Sequence, residues 1–196
     1  MLQGVDVSSH QNGLITKNNK WVSSYYDFAI IKSTEGVNYK YDRSDYFAEQ
    51  CERKGKLYGL YHYARAEKNS PVQEAEYFIK NVKAHAHALL ALDVEGYSLQ
   101  NPQIDAWSRV WLDVVFEATG KRPLLYISRS LTSRFPKTCD GNYGLWVAEW
   151  NTSNVGNISP WKFWTIWQYD KLDCLNVDMN FFNGDKENFV KYCEPV

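Results

Sequence analysis

The tightest constraint in this 196-residue chain is the stretch Leu89-Leu90-Ala91-Leu92-Asp93-Val94-Glu95-Gly96, an apolar run that ends abruptly in two carboxylates one residue apart. The run is too short for an ordinary helix and matches a buried strand. Side chains alternate along a strand, so Asp93 and Glu95 share one side, with Cα atoms ~6.5–7 Å apart. Two acids on one face repel each other unless their environments separate their protonation states. A structural strand gains nothing from that arrangement, whereas acid/base chemistry does.

The neighbouring segments give this strand its context. Gly4-Val5-Asp6-Val7, Phe28-Ala29-Ile30-Ile31-Lys32, Leu57-Tyr58-Gly59-Leu60-Tyr61-His62-Tyr63 and Leu124-Leu125-Tyr126-Ile127 are four more strand-like runs. Helical stretches fall between them, at residues 21–25 and 45–53. A third begins with Ser70 as N-cap, Pro71 at the first helical position and Gln73 completing a capping box. A fourth opens at Asn101-Pro102, carries Ile104, Trp107, Trp111, Val114 and Ala118 at helical spacing, and stops at Gly120.

In the last third the rhythm changes. Leu145-Trp146-Val147-Ala148, Phe163-Trp164-Thr165-Ile166-Trp167 and Val177-Asp178-Met179-Asn180-Phe181 resemble strands, separated by Asn-, Ser-, Gly- and Pro-rich gaps. Only a short amphipathic tail follows Phe182. Strands alternating with helices imply a parallel sheet. The expected class is therefore α/β, an irregular TIM-like barrel of about five β/α units followed by three strands with few helices. No repeat or linker divides the chain, so a single domain over 1–196 is expected.

Composition excludes several functions. Net charge is −1 with acids and bases mixed, so no basic face points to nucleic acid or an anionic membrane. No apolar run approaches the ~20 residues needed to span a bilayer. The opening Met1-Leu2-Gln3-Gly4 lacks a secretory pattern, which implies a mature form or synthesis without a signal peptide. Cys51, Cys139, Cys174 and Cys193 form no C-x-x-C pair, so free thiols are expected, with one disulfide as the alternative. The eight Trp, fourteen Tyr and nine Phe suit a large aromatic core, a sugar-holding groove, or both. Trp107 and Trp111 belong to the core by their spacing.

Catalytic residues of a parallel barrel sit at the C-terminal ends of its strands. Asp6 lies near the end of the first, Asp93 and Glu95 end the fourth, and Asp178 lies among Val177, Met179 and Phe181 in the eighth. Adjacent first and last strands bring Asp6 and Asp178 together, so four acids can converge on one mouth. Alternatively, Asp6 with Ser8 and Ser9 caps a following helix. Metal binding by aspartates with His10 or His62 is the weaker option. His85-Ala86-His87 precedes the fourth strand and reads as a solvated loop, so no metal or cofactor is expected.

Six short motifs in order resemble the glycoside hydrolase family 25 lysozymes (Ch-type N-acetylmuramidases) over nearly the whole chain. They are Gly4-Val5-Asp6-Val7-Ser8-Ser9-His10-Gln11, Ile31-Lys32-Ser33-Thr34-Glu35-Gly36, Gly59-Leu60-Tyr61-His62-Tyr63, Leu92-Asp93-Val94-Glu95, Trp167-Gln168-Tyr169 and Val177-Asp178-Met179-Asn180. The resemblance implies cleavage of the β-1,4 bond between N-acetylmuramic acid and N-acetylglucosamine in bacterial peptidoglycan. Carried over by position, Glu95 is the general acid, its pKa raised by Asp93 and partial burial. Asp93 either orients the substrate's 2-acetamido group or acts as nucleophile. Both routes retain configuration. Asp6 and Asp178 tune protonation, while Tyr61, Tyr63, Tyr126, Trp146 and Gln168 are candidates for lining the groove.

No separate wall-binding module is expected within these 196 residues. With no signal peptide visible, an endolysin-like protein made in the cytoplasm and acting on the wall after release is expected, as a monomer. A non-catalytic glycan-binding barrel and another polysaccharide hydrolase or deacetylase are the competing functions.

Overall fold

A computed structural model describes residues 1–11, 26–172 and 176–196. Its strands are β1 (Leu2–Val7), β2 (Phe28–Glu35), β3 (Tyr39–Lys40), β4 (Leu57–Tyr63), β5 (Leu89–Asp93), β6 (Leu124–Ser128), β7 (Gly144–Ala148), β8 (Ile166–Leu172) and β9 (Val177–Phe182). The α-helices among the described residues are α1 (Ser44–Arg53), α2 (Pro71–Val82), α3 (Ile104–Thr119), α4 (Pro136–Asp140) and α5 (Lys186–Cys193). Strand order is β1-β9-β8-β7-β6-β5-β4-β2-β3, and β1 also pairs with β2, so eight strands close a barrel with β3 appended outside. The helix expected at residues 21–25 and Cys174 lie outside the described residues; Cys51, Cys139 and Cys193 are free thiols.

Alternation builds two apolar layers from the strands. Residues facing out of the barrel, such as Val5, Ile31, Leu60, Leu90 and Leu125, join helix residues Phe47, Phe78, Trp107, Trp111 and Leu112 in one cluster. Residues facing in, including Phe28, Ile30, Leu89, Ala91, Leu124 and Ile166, form a second. Helix α3 ends as its sequence dictates: Gly120 takes the left-handed conformation, φ 70°, and closes the last turn onto Phe116 O.

Buried hydrogen bonds fix the seam between barrel and helices. His62 on β4 bonds Thr34 Oγ1 through Nδ1 at 2.7 Å and Glu74 Oε2 of α2 through Nε2 at 2.8 Å. Its ring stacks on Trp111 with centroids 5.4 Å apart. Both imidazole nitrogens are thus engaged in fixing α2 to the sheet.

The sequence expectations need five corrections. The last barrel strand, β9, runs antiparallel to both β8 and β1; only four residues separate the end of β8 from its start, too few for a crossover to a parallel neighbour. Phe163 and Trp164 precede β8, which instead runs on to Leu172 with a register shift between Gln168 and Asp170. Ser70 has the extended backbone of an N-cap, but its side chain makes no capping bond, so the box with Gln73 does not form. His85 is buried, not solvated, and its Nε2 lies 3.1 Å from Asp45 Oδ1.

The fifth correction concerns the tail, which folds as α5. Its capping box is reciprocal: Asn188 N donates to Asp185 Oδ1 at 2.8 Å, and Asp185 N donates to Asn188 Oδ1 at 3.4 Å. Phe189 projects into the barrel's lower end, with its ring centroid 5.3 Å from Phe28 and 5.0 Å from Phe182. The helix is a stopper. Gly4 leaves room for the same packing, since a Cβ there would stand 2.6 Å from the Phe28 ring.

Removing the stopper opens a cavity that neighbouring rings fill only in part. Phe189→Ala is expected to destabilise the fold by about 3–5 kcal/mol and lower the thermal midpoint by on the order of 10 °C. Calorimetry checks this; an unchanged midpoint would remove α5 from the account of the core.

Candidate active site

The barrel's other end is polar. Inward positions that are apolar lower down become Asp6 on β1, Lys32 on β2, Tyr61 on β4, Asp93 on β5, Tyr126 on β6, Gln168 on β8, and Asp178 with Asn180 on β9. Antiparallel pairing sets Asp6 directly opposite Asp178. Because β9 runs in reverse, Asp178 reaches this mouth from the start of its strand, whereas Asp6 and Asp93 arrive at the ends of theirs.

Glu95 lies two residues beyond Asp93 and outside β5 proper, in an extended conformation (φ −150°, ψ −175°) that keeps it on the side of Asp93. Val94 N holds this continuation against the sheet through Tyr126 O at 3.1 Å. Gly96 then turns the chain away with φ 55°. The four acids line one cavity of about 150 Å³, together with Tyr61, Tyr126, Trp146, Gln168 and the Ser8–Gln11 turn.

Asp6 is the best-anchored acid. Its Oδ2 accepts 2.8 Å bonds from Gln168 Nε2 and Asn180 Nδ2. Gln168 cannot flip, because its Oε1 accepts from Tyr126 OH at 3.0 Å and from Trp150 Nε1 at 3.1 Å. Asn180 is fixed likewise by Trp146 Nε1, 2.8 Å from its Oδ1. The carboxylate of Asp6 is therefore held across the barrel, not over a helix end, and the capping alternative falls.

Gln168 and Trp146 line the cavity from buried positions, at its floor. Tyr63 stands beside the cavity: its hydroxyl lies against Gly96 and its ring 4.5 Å from Lys32 Nζ. Three contributors escaped the sequence reading. Asn180 is two residues from Asp178 and so on the same face, a signal that alternation offered. Trp150, 41% exposed, stands at the rim where a sugar ring can stack. Lys32 brings a cation to the acids, with Nζ 2.7 Å from Glu35 Oε2.

Charge crowding decides protonation. Burial, with Asp178 and Glu95 adding repulsion against the two amide hydrogen bonds, pushes Asp6 up to about 7. Burial and then Glu95 hold Asp93 well above the usual carboxylate range, opposed by Lys32. Glu95 is raised by its partial enclosure, opposed by Lys32 and assisted by Asp178. Asp178 is also raised by burial. Asp93 Oδ1 is buried and has no hydrogen-bond partner among the described residues. An acceptor left open in a polar mouth points to a donor on a ligand.

A barrel presenting buried, proton-sharing carboxylates beside aromatic rings at an open mouth is the equipment of a glycoside hydrolase. The description "Glycosyl hydrolases family 25" matches residues 5–175. The chain belongs to that family. Lysozyme M1 of Streptomyces globisporus is 30% identical, covering 93% of this chain and 68% of its own. The N,O-diacetylmuramidase of Chalaropsis sp is 28% identical, over 97% of this chain and 98% of its own. A family GH25 lysozyme from Aspergillus fumigatus superposes with a TM-score of 0.83 at 27% identity, over 98% of this chain and 99% of that one.

Holding Asp6 near neutrality has a stability signature. Its folded pKa is raised, so the folded state binds more protons than the unfolded state between the ordinary Asp value, 3.8, and about 7. Stability from this group therefore falls as pH rises through that window. Asp6→Asn keeps an acceptor for Gln168 and Asn180 but removes the charge. The variant should match wild type near pH 4 and exceed it by on the order of 2 kcal/mol at pH 8. Denaturant titrations at the two pH values measure this; a gap that does not widen with pH would contradict the assignment.

Proposed function

The protein is a lysozyme-type glycoside hydrolase of bacterial peptidoglycan, and we propose that it cleaves the N-acetylmuramic acid–N-acetylglucosamine β-1,4 bond with retained configuration. The observation carrying this reading is the open acceptor on Asp93 beside a protonatable Glu95.

In the free enzyme burial holds both Asp93 and Glu95 above the usual carboxylate range, with Asp93 the more enclosed of the two. A 2-acetamido N–H donating to the Asp93 carboxylate, which lines the cavity, favours its ionised form. The proton is then better placed on Glu95, at the solvent side, where it passes to the leaving glycosidic oxygen. Asp93 holds the acetamide so that its carbonyl oxygen attacks the anomeric carbon from the opposite face. Glu95, now ionised, takes a proton from the water that opens the resulting ring, and two inversions give net retention.

Asp178 adds negative field beside the acids, which favours the oxocarbenium-like centre and helps hold Glu95 above the usual carboxylate range. Trp150 offers a stacking face at the rim. The place of action is the bacterial wall, and release as an endolysin acting as a monomer belongs to the same proposal. A binding-only barrel has no need of four crowded acids, each raised by burial.

Glu95→Gln is expected to lower clearing of purified walls by at least ~10³-fold while leaving the thermal midpoint within a few degrees of wild type. Wild-type clearing by this variant would overturn the acid assignment. The anomeric form of the first product, read by NMR before mutarotation, should be β; an initial α product would exclude the acetamide route.

A further inference from the structure

A cleft of about 830 Å³, larger than the cavity of about 150 Å³ at the acids, lies at the opposite end of the barrel, bounded by Gly144 at the start of β7, Thr165 just before β8, Phe182 at the end of β9 and Tyr192 of α5. The barrel interior between the two ends is filled by Phe28, Ile30, Leu89, Phe182 and Phe189. Nothing bound in the cleft can reach Glu95 through the protein.

Its chemistry is amphipathic. Phe163, 64% exposed, and the half-buried Trp164 present rings beside the Asn183 amide. Asn183 Nδ2 donates to Trp164 O at 3.0 Å, which fixes the ring-bearing segment against the end of β9 and leaves the amide oxygen for a ligand. Lys162 and Lys191 line the same cleft, both exposed and neither with an ion-pair partner among the described residues. Asp140 is the one acid among the lining residues. Ring faces match the C–H faces of sugars, the amide matches acetamido groups, and the two cations match the carboxylates of lactyl groups and stem peptides. An apolar protein partner would satisfy the rings but leave both lysines without counterparts.

We propose that this cleft is a second, non-catalytic site for the wall polymer, holding a glycan strand other than the one being cut. The proposal rests on peptidoglycan being the substrate. A sacculus presents many strands at once, so an anchored enzyme meets its next scissile bond at a raised effective concentration. A soluble fragment too short to reach both ends of the barrel gains nothing from the cleft. The two kinds of substrate therefore respond differently to damage there.

Phe163→Ala and the double variant Lys162→Glu/Lys191→Glu test this, each made with and without Glu95→Gln. With Glu95→Gln present, sedimentation with purified sacculi reads binding without cleavage. With Glu95 intact, turnover is read on sacculi and on a soluble tetrasaccharide muropeptide. The site predicts at least a ~5-fold loss of sedimentation and of sacculus turnover, with tetrasaccharide turnover unchanged. Wild-type sedimentation by both variants overturns it. So does an equal loss on the tetrasaccharide, which would place the damage in the fold or the mouth. Failure of the parent reading looks different, since wild-type enzyme would then leave both substrates uncut.

Discussion

The antiparallel closure of β9 against β1 is the constraint on which the rest of the site depends. Its register sets Asp6 opposite Asp178 and brings Asn180 within 2.8 Å of the Asp6 carboxylate. From there a chain of oriented donors runs through Gln168 to Tyr126 and Trp150 on neighbouring segments. A slip by one residue would turn Asp178 and Asn180 outward and leave Asp6 buried without its donors. Catalytic geometry and barrel closure are thus one set of hydrogen bonds.

Along the barrel the interior changes from hydrocarbon to carboxylate. Phe28, Phe182 and Phe189 seal the lower end against water, while the upper end holds more negative charge than it neutralises. Lys32 offsets part of the repulsion at Asp93 and Glu95. The aromatic and aliphatic packing below supplies stability that the acids above consume. Strain of this kind is the expected cost of acids kept protonatable near neutral pH.

Much of this was legible in the chain itself. The apolar run into Asp93 and Glu95 fixed strand, face and chemistry together, because period-two alternation leaves two acids at i and i+2 nowhere else to point. Asp178 was legible for the same reason, as a charge in an otherwise apolar strand. The direction of β9 is not, since a strand pattern carries no polarity and only the short interval between Leu172 and Val177 hints at reversal. Helix α5 was missed because eight residues give barely two turns of periodicity, although Asp185 and Asn188 mark its start. Gln168 and Trp146 are named only through the resemblance, because the partners that hold them, Asp6, Tyr126, Trp150 and Asn180, lie on other segments, which no local pattern reveals. Phe163 and Trp164 read as strand because aromatic runs suit one, yet they lie outside the sheet at the rim of the lower cleft.

The central claim is that this four-acid mouth cuts the polymer on the reducing side of N-acetylmuramic acid. Mass spectrometry of a wall digest after borohydride reduction reads the new ends directly. The account predicts reduced muramic acid as the newly formed terminus, and none when Glu95 is replaced by Gln. New termini of reduced N-acetylglucosamine, or release of acetate without chain cleavage, would contradict it.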